Sequence, residues 1–271
     1  MSYRLCIVLP LLVSAAVHAG AAPRVHAPAR GTTATLAVLE TTDLHANVLG
    51  YDYYKLAADP SLGLDRTATL IAQARKEFAN TLLLDDGDTI QGTALGDYQA
   101  QAAPLACDKT LAIYKVMNYL RYDGGTIGNH DFNYGLPFLS QVTGSRLQVD
   151  GVDAAKPRCA GPTFPQVLAN IVSVKTHQPL FAPYRIIDKQ VDAVDAKGRP
   201  IRATLKVGII GFTPPTILSW CGRASTRCVS PGKKPRRANG SLRSPRTRAI
   251  HRTRTCSQRS TCPRLPRRSA P

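Results

Sequence analysis

The stretch Gly128-Asn129-His130-Asp131 directly follows the short apolar run 125–127 and determines how the rest of the chain is interpreted. Two other pieces have the same construction, a polar group after an apolar run, and these are Asp43-Leu44-His45 and Gly87-Asp88. Each apolar run predicts a β-strand. Carboxylate, amide and imidazole groups are therefore expected at three strand ends, an arrangement that indicates metal-assisted hydrolysis.

The residue types fit a divalent ion beside a phosphate, since such an ion takes oxygen ligands, with imidazole added when it is zinc, manganese or cobalt-like. Asp43 and His45 are two residues apart, and on an extended strand end they would share one face and reach one ion. Asp88 follows Gly87, which allows a sharp turn, and its two oxygens can bridge two ions. Asn129 offers an amide oxygen to the second ion and to the substrate.

His130 and Asp131 are the candidate catalytic pair, because an imidazole near a carboxylate can stay protonated and stabilise phosphoryl charge or protonate a leaving alkoxide. Two ions about 3.5–4 Å apart can activate a bridging water, so no nucleophilic side chain is required. The sequence contains neither Gly-x-Ser-x-Gly nor a P-loop. Each short piece alone is most often a turn or a helix cap, and the functional interpretation depends on all three occurring together.

The net charge of +17 invites a nucleic-acid-binding interpretation, but the charge is unevenly distributed. Residues 221–271 contain 15 Lys and Arg, no Asp or Glu, six prolines and no aromatic residue. Residues 1–220 contain 20 basic and 18 acidic side chains, as in an ordinary globular protein. The last segment is therefore predicted to be a basic, disordered tail.

Helical spacing alternates with short apolar runs along the chain, which predicts an α/β architecture. The helix over 66–79 should bury Leu70, Ile71, Ala74 and Phe78. The helix over 109–120 should bury Leu111, Tyr114, Met117 and Leu120. A third helix is predicted over 134–145. The predicted strands are 34–42, 81–85, 125–127, 167–172, 184–187 and 205–211, and a polar turn over 195–200 joins the last two.

The N-terminus has the pattern of a secretory signal over residues 1–19. It has a basic Arg4, an apolar run over 5–13 that is too short to span a membrane, and a small-x-small site at Val17-His18-Ala19. The alternative interpretation of this N-terminal pattern is an uncleaved membrane anchor or a buried first strand. Residues 20–33 are predicted to be a linker. Export allows one disulfide between Cys107 and Cys159.

Residues 34–216 resemble the N-terminal catalytic domain of the calcineurin-like metallophosphoesterases, in particular their periplasmic nucleotidase group, and within it the bifunctional 2′,3′-cyclic-nucleotide 2′-phosphodiesterases/3′-nucleotidases. The stretches that carry the resemblance are LETTDLHANVLGYDYYK (39–55), LLLDDGDTIQGTALGDY (82–98), GTIGNHDFNYGL (125–136), LANIV (168–172) and KVGIIGFTPPTI (206–217). The resemblance implies a four-layer α/β sandwich, incomplete at its C-terminal side, and two divalent ions. It places Asp43 and His45 on one ion, Asp88 between both and Asn129 on the other, with His130 and Asp131 as the catalytic dyad.

The resemblance extends through Trp220 and then stops. The family takes its remaining ligands from later histidines, in a Ser-His-like turn and a Gly-His-x-His motif, and binds the base with a second domain. The histidine after Trp220 is His251, in Ile-His-Arg-Thr-Arg, which matches neither motif. We therefore expect an incomplete second ion site and little turnover. We hypothesise that residues from about 221 translate a shifted reading frame, which the nucleotide sequence read one base over would test.

Three functions remain open from the sequence. The first is hydrolysis of 2′,3′-cyclic nucleotides and 3′-nucleotides in the periplasm, with small-molecule nucleotides as the substrates and no obligate protein partner. The second is a 5′-nucleotidase or nucleotide-sugar hydrolase of the same fold. The third is a non-catalytic secreted protein whose basic tail binds nucleic acid or anionic surfaces, although this tail has no aromatic side chains for base stacking.

Overall fold

The computed structural model describes residues 28–149, 151–153, 158–173, 176–214 and 228–229. They fall within the first of two units of the chain, residues 1–233, and the second unit is 234–271. The predicted signal sequence over 1–19 and most of the linker lie outside the described residues. The basic tail from 221 also lies outside them, apart from 228–229.

The described residues form ten strands and four α-helices. The strands are β1 (Ala37–Thr41), β2 (Tyr51–Asp52), β3 (Ala57–Ala58), β4 (Thr81–Asp85), β5 (Gly124–Thr126), β6 (Gln166–Val167), β7 (Val172–Ser173), β8 (Tyr184–Val194), β9 (Pro200–Ile210) and β10 (Cys228–Val229). The helices are α1 (Leu64–Glu77), α2 (Ala94–Asp97), α3 (Ala112–Tyr119) and α4 (Leu136–Val142). A π-helical turn, Tyr98–Ala102, follows α2, and a 3-10 turn, His130–Phe132, follows β5. None of the helices in the described ranges is long and apolar enough to cross a membrane.

The central sheet is parallel, with strand order β1-β4-β5-β6. Helix α1 connects β1 to β4, and α3 lies between β4 and β5, so the predicted α/β class is confirmed. Parallel strands bring their carboxyl ends to one edge of the sheet. The segments that follow β1, β4 and β5 therefore meet at that edge, and they contain the three polar pieces.

Helix α3 contributes its apolar face to the core. The predicted face is confirmed, because Tyr114 is fully buried and Leu111 and Met117 are 1% exposed. The predicted face of α1 is only partly right. Ile71 is buried, but Leu70 is 64% exposed and Phe78 is 37% exposed. Phe78 lies beyond the last residue of α1, where the backbone has already turned extended, so helical spacing no longer predicts its direction.

The prediction of one strand over 167–172 is wrong, because β6 and β7 flank a bend at 168–171. In that bend the Asn170 amide pairs with the Thr213 backbone, donating to its carbonyl at 2.6 Å and accepting from its N–H at 3.1 Å. The Ala169 N–H donates to the Gly211 carbonyl at 2.9 Å. An asparagine that bonds the backbone competes with a sheet ladder, and the two strands belong to different sheets.

The last two predicted strands are longer than expected and form an antiparallel hairpin, β8–β9, in register from Tyr184 opposite Ile210 to Val194 opposite Pro200. Asp195 closes the turn by accepting from the Lys197 and Arg199 backbone N–H groups.

A disulfide joins Cys107 to Cys159. The structure therefore contains the one pairing that the cysteines of the globular part allow.

Candidate metal centre

Asp43, His45 and Asp88 come together at the carboxyl edge of the sheet. One ligand atom from each lies within 4.8 Å of the others. All three residues have left-handed backbone conformations, with φ of 54°, 47° and 55°. The predicted extended geometry for Asp43 and His45 is therefore wrong, although the residues do converge.

The first loop reaches this conformation by bonding to the second. The backbone N–H groups of Asp43, His45 and Ala46 donate to the carbonyls of Gly87, Asp88 and Thr89 at 3.1, 2.9 and 2.8 Å. These bonds satisfy backbone groups that would otherwise be unpaired at the sheet edge. They also compensate for the strain of the left-handed residues.

The His45 ring is oriented as a metal ligand would be. Its Nδ1 lies 2.5 Å from the carbonyl oxygen of Gln91, which can only accept, so Nδ1 carries the proton. That leaves the lone pair of Nε2, which lies 3.5 Å from Asp43 Oδ1. Two ligands of one tetrahedral zinc ion, each bonded at about 2.1 Å, lie roughly 3.4 Å apart. The observed donors fit one such ion, and the Gln91 carbonyl is the outer partner that ligating histidines usually have.

Two glycines allow the second and third loops to touch. A Cβ on Gly128 would lie 2.3 Å from both the N and the Oδ1 of Asp88, and a Cβ on Gly87 would lie 2.4 Å from the N of Gly128. The close approach lets Asp88 Oδ1 accept the His130 backbone N–H at 2.7 Å. Asp88 is thereby fixed against the loop that contains Asn129, which is half-buried at the start of the 3-10 turn.

Asp131 is 1% exposed, and it has partners other than the predicted one. Its Oδ1 accepts from the backbone N–H groups of Thr89 and Ile90, each at 2.8 Å, and its Oδ2 accepts from that of Gly128 at 2.8 Å. Burial raises the pKa of Asp131 to about 7, while the amide bonds act in the opposite direction. These contacts indicate that Asp131 holds the second and third loops together. Its direct support of the His130 ring stays a prediction.

The His130 ring lies next to Asn133, whose Nδ2 is 3.0 Å from His130 Nδ1 and 3.1 Å from Gln91 Oε1. With the amide as donor, Nδ1 accepts and the neutral ring carries its proton on Nε2. The His130 and His45 rings meet edge to face, with centroids 5.3 Å apart. With these contacts the two imidazoles have opposite tautomers: one presents a lone pair suited to an ion and the other an N–H group suited to donate a hydrogen bond.

The remaining carboxylates near this edge raise its negative potential. Burial raises the pKa of Asp85 to about 6, although Thr41, Thr89 and the Gly87 backbone donate to it. Burial, followed by repulsion from Glu40, Asp43 and Asp88, raises the pKa of Asp86. A cluster of acids that resists full ionisation favours a bound cation.

The sequence is similar to nucleotide phosphoesterases over most of its length. It is 45% identical over 194 residues to a 2′,3′-cyclic-nucleotide 2′-phosphodiesterase/3′-nucleotidase of Salmonella typhimurium, a match that covers 72% of this chain and 27% of that protein. It is 40% identical over 215 residues to the trifunctional nucleotide phosphoesterase protein YfkN of Bacillus subtilis, covering 78% of this chain and 13% of that protein. No protein-family model matches the chain.

The crystal structure of the calcineurin-like phosphoesterase YfkN from Bacillus subtilis matches with a TM-score of 0.61 and 38% identity, covering 72% of this chain and 53% of that one. The chain belongs to the calcineurin-like phosphoesterases. It spans about a quarter of the length of the Salmonella relative. The fold predicted from the resemblance is confirmed at the level of this family.

Two residues of the candidate site were not predicted from the sequence. Asn133 was missed because Asp131 is adjacent to His130 in sequence and, as an acid, is the more conspicuous candidate partner for the His130 ring. Residues three apart on a helical turn share a face, and this spacing indicates Asn133. Gln91 acts through its backbone carbonyl as well as its side chain, and no sequence pattern identifies a carbonyl acceptor.

Proposed function

We propose that this chain provides the metal-binding loops of a periplasmic phosphoesterase that hydrolyses 2′,3′-cyclic nucleotides and then 3′-nucleotides. The observation that carries the proposal is the convergence of Asp43, His45 and Asp88 within 4.8 Å beside His130. The 45% identity to a relative with that name supports the choice of substrate. The secretory pattern over residues 1–19 supports export.

The residues have distinct roles in the proposal. Asp43 and His45 would bind one divalent ion, Asp88 would bridge to a second, and Asn129 would bind the second ion and the substrate phosphate. Zinc, manganese or a cobalt-like ion fits this donor set, and bound ions would lower the pKa of a water and neutralise phosphate charge. Asp131 would hold the loops at the required spacing.

The reaction is the addition of water to phosphorus. One P–O bond forms and the bond to the 2′ oxygen breaks, which leaves a 3′-nucleotide. A second hydrolysis releases inorganic phosphate and the nucleoside. His130, with a hydrogen on Nε2 in the tautomer that Asn133 favours, is suited to donate a hydrogen bond to the 2′ oxygen as it leaves, and the proton that this oxygen takes up comes from the attacking water.

The test is metal binding followed by substrate. We expect the unmodified chain to bind Mn²⁺ in calorimetry and Asp88→Asn to bind it at least 10-fold more weakly, because the variant removes the predicted bridging ligand. Asp188→Asn, which changes an exposed hairpin carboxylate, is the matched control and should bind as the unmodified chain does. Metal-dependent conversion of 2′,3′-cyclic AMP into 3′-AMP would then identify the reaction, although the predicted incomplete second ion site implies slow turnover. Equal Mn²⁺ affinity in all three proteins would refute the proposed centre.

Other substrates are distinguished by the same assay. More distant relatives include 5′-nucleotidases, and faster release of phosphate from 5′-AMP than from 3′-AMP would assign the chain to that activity instead. Binding of nucleic acid by the basic tail remains a separate prediction, since that tail lies outside the described residues.

A further inference from the structure

A cavity of about 480 Å³ lies at the opposite end of helix α4 from the candidate metal centre. Residues 143–146, which follow α4, line this cavity, whereas His130 precedes α4 in the chain. Pro165 and Gln166 also line it, at the amino end of β6, while the metal-ligand loops follow the carboxyl ends of their strands. The 7 residues of α4 span about 10 Å, so the cavity is separate from the metal centre.

Three arginines line this cavity, and no acidic residue accompanies them among its described lining residues. They are Arg146, Arg158 and Arg185. None of their side chains forms an ion pair or a hydrogen bond with another residue that the structure describes. An acid does line the adjoining cavity of about 210 Å³, where Asp153 accompanies two of the three arginines. The larger cavity therefore has a strongly positive potential.

The segment that contains Arg158 packs directly on the end of α4. A Cβ on Gly144 would lie 2.8 Å from the carbonyl oxygen of Cys159, and a Cβ on Gly161 would lie 2.9 Å from the backbone N of Gly144. Only residues without a Cβ allow so close an approach. The disulfide from Cys107 fixes the same segment. This wall of the cavity is therefore ordered before any ligand binds, which lowers the entropy cost of binding.

Arg185 approaches the cavity from the β8–β9 hairpin. Side chains two residues apart on a strand share a face, so Arg185 lies on the face of β8 that also includes Lys189 and Val191. Val191 is 2% exposed, and Lys189 pairs with Asp123 at the central sheet. Arg185 therefore lies on the inner face of the hairpin, across the cavity from the residues that follow α4.

The carbonyl end of α4 borders the cavity as well, and the negative end of a helix opposes an anion. Its carbonyls are already bonded, because donors from residues 143–145 lie 2.7, 3.0 and 3.0 Å from the carbonyl oxygens of Leu139, Ser140 and Gln141. A helix end is equivalent to roughly half an elementary charge. Three full positive charges outweigh it, so the balance at this cavity favours an anion.

The floor of the cavity is apolar. Phe164, Leu180 and Phe181 line it and are 7%, 7% and 6% exposed. A charge beside buried apolar groups interacts more strongly with its partners than it would on an open surface, because the local dielectric is lower. An anion in this cavity would therefore gain more than one beside the same arginines in open water.

The cavities beside the metal centre lack this concentration of positive charge. The one of about 630 Å³ has a single arginine, Arg66, together with the acid Asp43. The one of about 410 Å³, which His45 and His130 line, has neither lysine nor arginine among its described lining residues. A metal-independent anion site is therefore expected at the far end of α4 and not beside the metal ligands.

We propose that the cavity lined by Arg146, Arg158 and Arg185, called here the arginine cavity, binds the phosphate group of a small molecule. The planar guanidinium group forms paired N–H···O bonds with phosphate oxygens. A phosphate has more oxygens and more negative charge than a carboxylate, so it can bond several arginines at once. The volume is within the range of small-ligand sites. The site needs no metal ion and does not depend on the proposed function.

The experiment is calorimetric titration of the full chain with inorganic phosphate. EDTA keeps ions out of the metal centre, and about 0.15 M NaCl screens weak binding to exposed charges. The double variant Arg146→Gln/Arg185→Gln should bind phosphate at least roughly 10-fold more weakly. Arg146→Lys/Arg185→Lys keeps the charge but loses the planar fork, and its affinity should fall between those of the glutamine variant and the unmodified chain.

The matched control is Arg199→Gln/Arg202→Gln, which removes the same charge from side chains that are 71% and 65% exposed on the hairpin. It should bind phosphate as the unmodified chain does. Equal losses in the two glutamine variants would mean that overall charge attracts phosphate, and equal affinities would mean that the arginine cavity does not bind it. Either result overturns the inference, as does the absence of phosphate binding by the unmodified chain.

Two further measurements separate the sites and the sources of the phosphate group. Asp88→Asn should leave phosphate affinity in EDTA unchanged, and a loss in that variant would place the phosphate at the metal centre and overturn the inference. Phenyl phosphate that binds more tightly than inorganic phosphate would support an organic phosphate resting on Phe164 and Phe181, and weaker binding would support free phosphate. Failure of Mn²⁺ binding would refute the proposed function and leave this inference standing.

Discussion

The loops of the candidate metal centre and the β8–β9 hairpin are stabilised in opposite ways. In the loops and the strand ends that lead into them, Thr41, Asp85, Thr89 and Asp131 are all 8% exposed or less and bond to each other or to backbone amides. In the hairpin, Asp188 and Asp192 have half-exposed side chains and pair with Lys206 and Arg202 across the ladder. Buried polar networks lose much when one member is removed, whereas exposed ion pairs contribute little. The centre should therefore tolerate far less change than the hairpin.

The largest contrast is expected from one added methyl group in each region. In Gly128→Ala the new Cβ would lie 2.3 Å from the backbone and carboxylate of Asp88, so the second and third loops must separate. We expect a loss of roughly 4 kcal/mol or more in unfolding free energy and no detectable Mn²⁺ binding. Urea unfolding and calorimetry measure the two effects.

Gly208→Ala is the matched control, because nothing lies within 4 Å of a Cβ at this position in β9. Its unfolding free energy should change by about 0.5 kcal/mol or less. Similar losses in the two variants would show that the loops are not the more constrained region.

A smaller effect is expected from the pH dependence of Asp85. Burial raises its pKa from 3.8 to about 6, so the folded state holds the proton more tightly than the unfolded state. Stability from this group is therefore fully present below about pH 4 and is lost as the pH rises through 6, by up to ~3 kcal/mol. Asp85→Asn should reduce the slope of the stability profile over that window, while Asp131, whose pKa burial raises to about 7, keeps part of it.

Urea midpoints between pH 4 and 7, measured with EDTA so that bound metal does not contribute, test this expectation. Asp188→Asn in the hairpin should keep the slope of the unmodified chain. A slope as steep in Asp85→Asn as in the unmodified chain would assign the dependence to other groups such as Asp131, and a stability that rises between pH 4 and 6 would contradict the sign.

The same contrast separates what the sequence predicts from what it does not. Strand β4 was predicted to the residue, because a short apolar run between polar residues has few alternatives. The convergence of Asp43, His45 and Asp88 was predicted from their positions at the ends of predicted strands. The left-handed coiling of the first loop was not, since it depends on amide bonds to the carbonyls of 87–89, and no residue type encodes those.

Side-chain partners elsewhere are set in the same way. Tertiary contacts direct the Asp131 carboxylate to the backbone of the neighbouring loops, and Asn133 lies beside the His130 ring; direct support of that ring by Asp131 stays a prediction. The predicted strand over 167–172 is divided because Asn170 bonds to Thr213, 43 residues away. Local pattern predicts elements well, but the partner of a polar side chain is decided by distant segments.

The smallest predicted effect concerns the one point in the described residues where a hairpin lysine bonds to the strand connections of the central sheet. Lys189 Nζ donates to Asp123 Oδ1 at 2.5 Å, and Asp123 Oδ2 accepts the Leu83 backbone N–H at 2.9 Å. The two side chains are 25% and 18% exposed, so the pair is better shielded from solvent than Lys206 with Asp188, which are 67% and 46% exposed.

Lys189→Ala should lower the unfolding free energy by about 1–2 kcal/mol and Lys206→Ala by about 0.5 kcal/mol or less. Added salt should reduce the second effect more than the first. Equal losses of unfolding free energy in the two variants would mean that shielding from solvent does not set the strength of these ion pairs. The comparison between the two regions would then depend on the buried carboxylates alone.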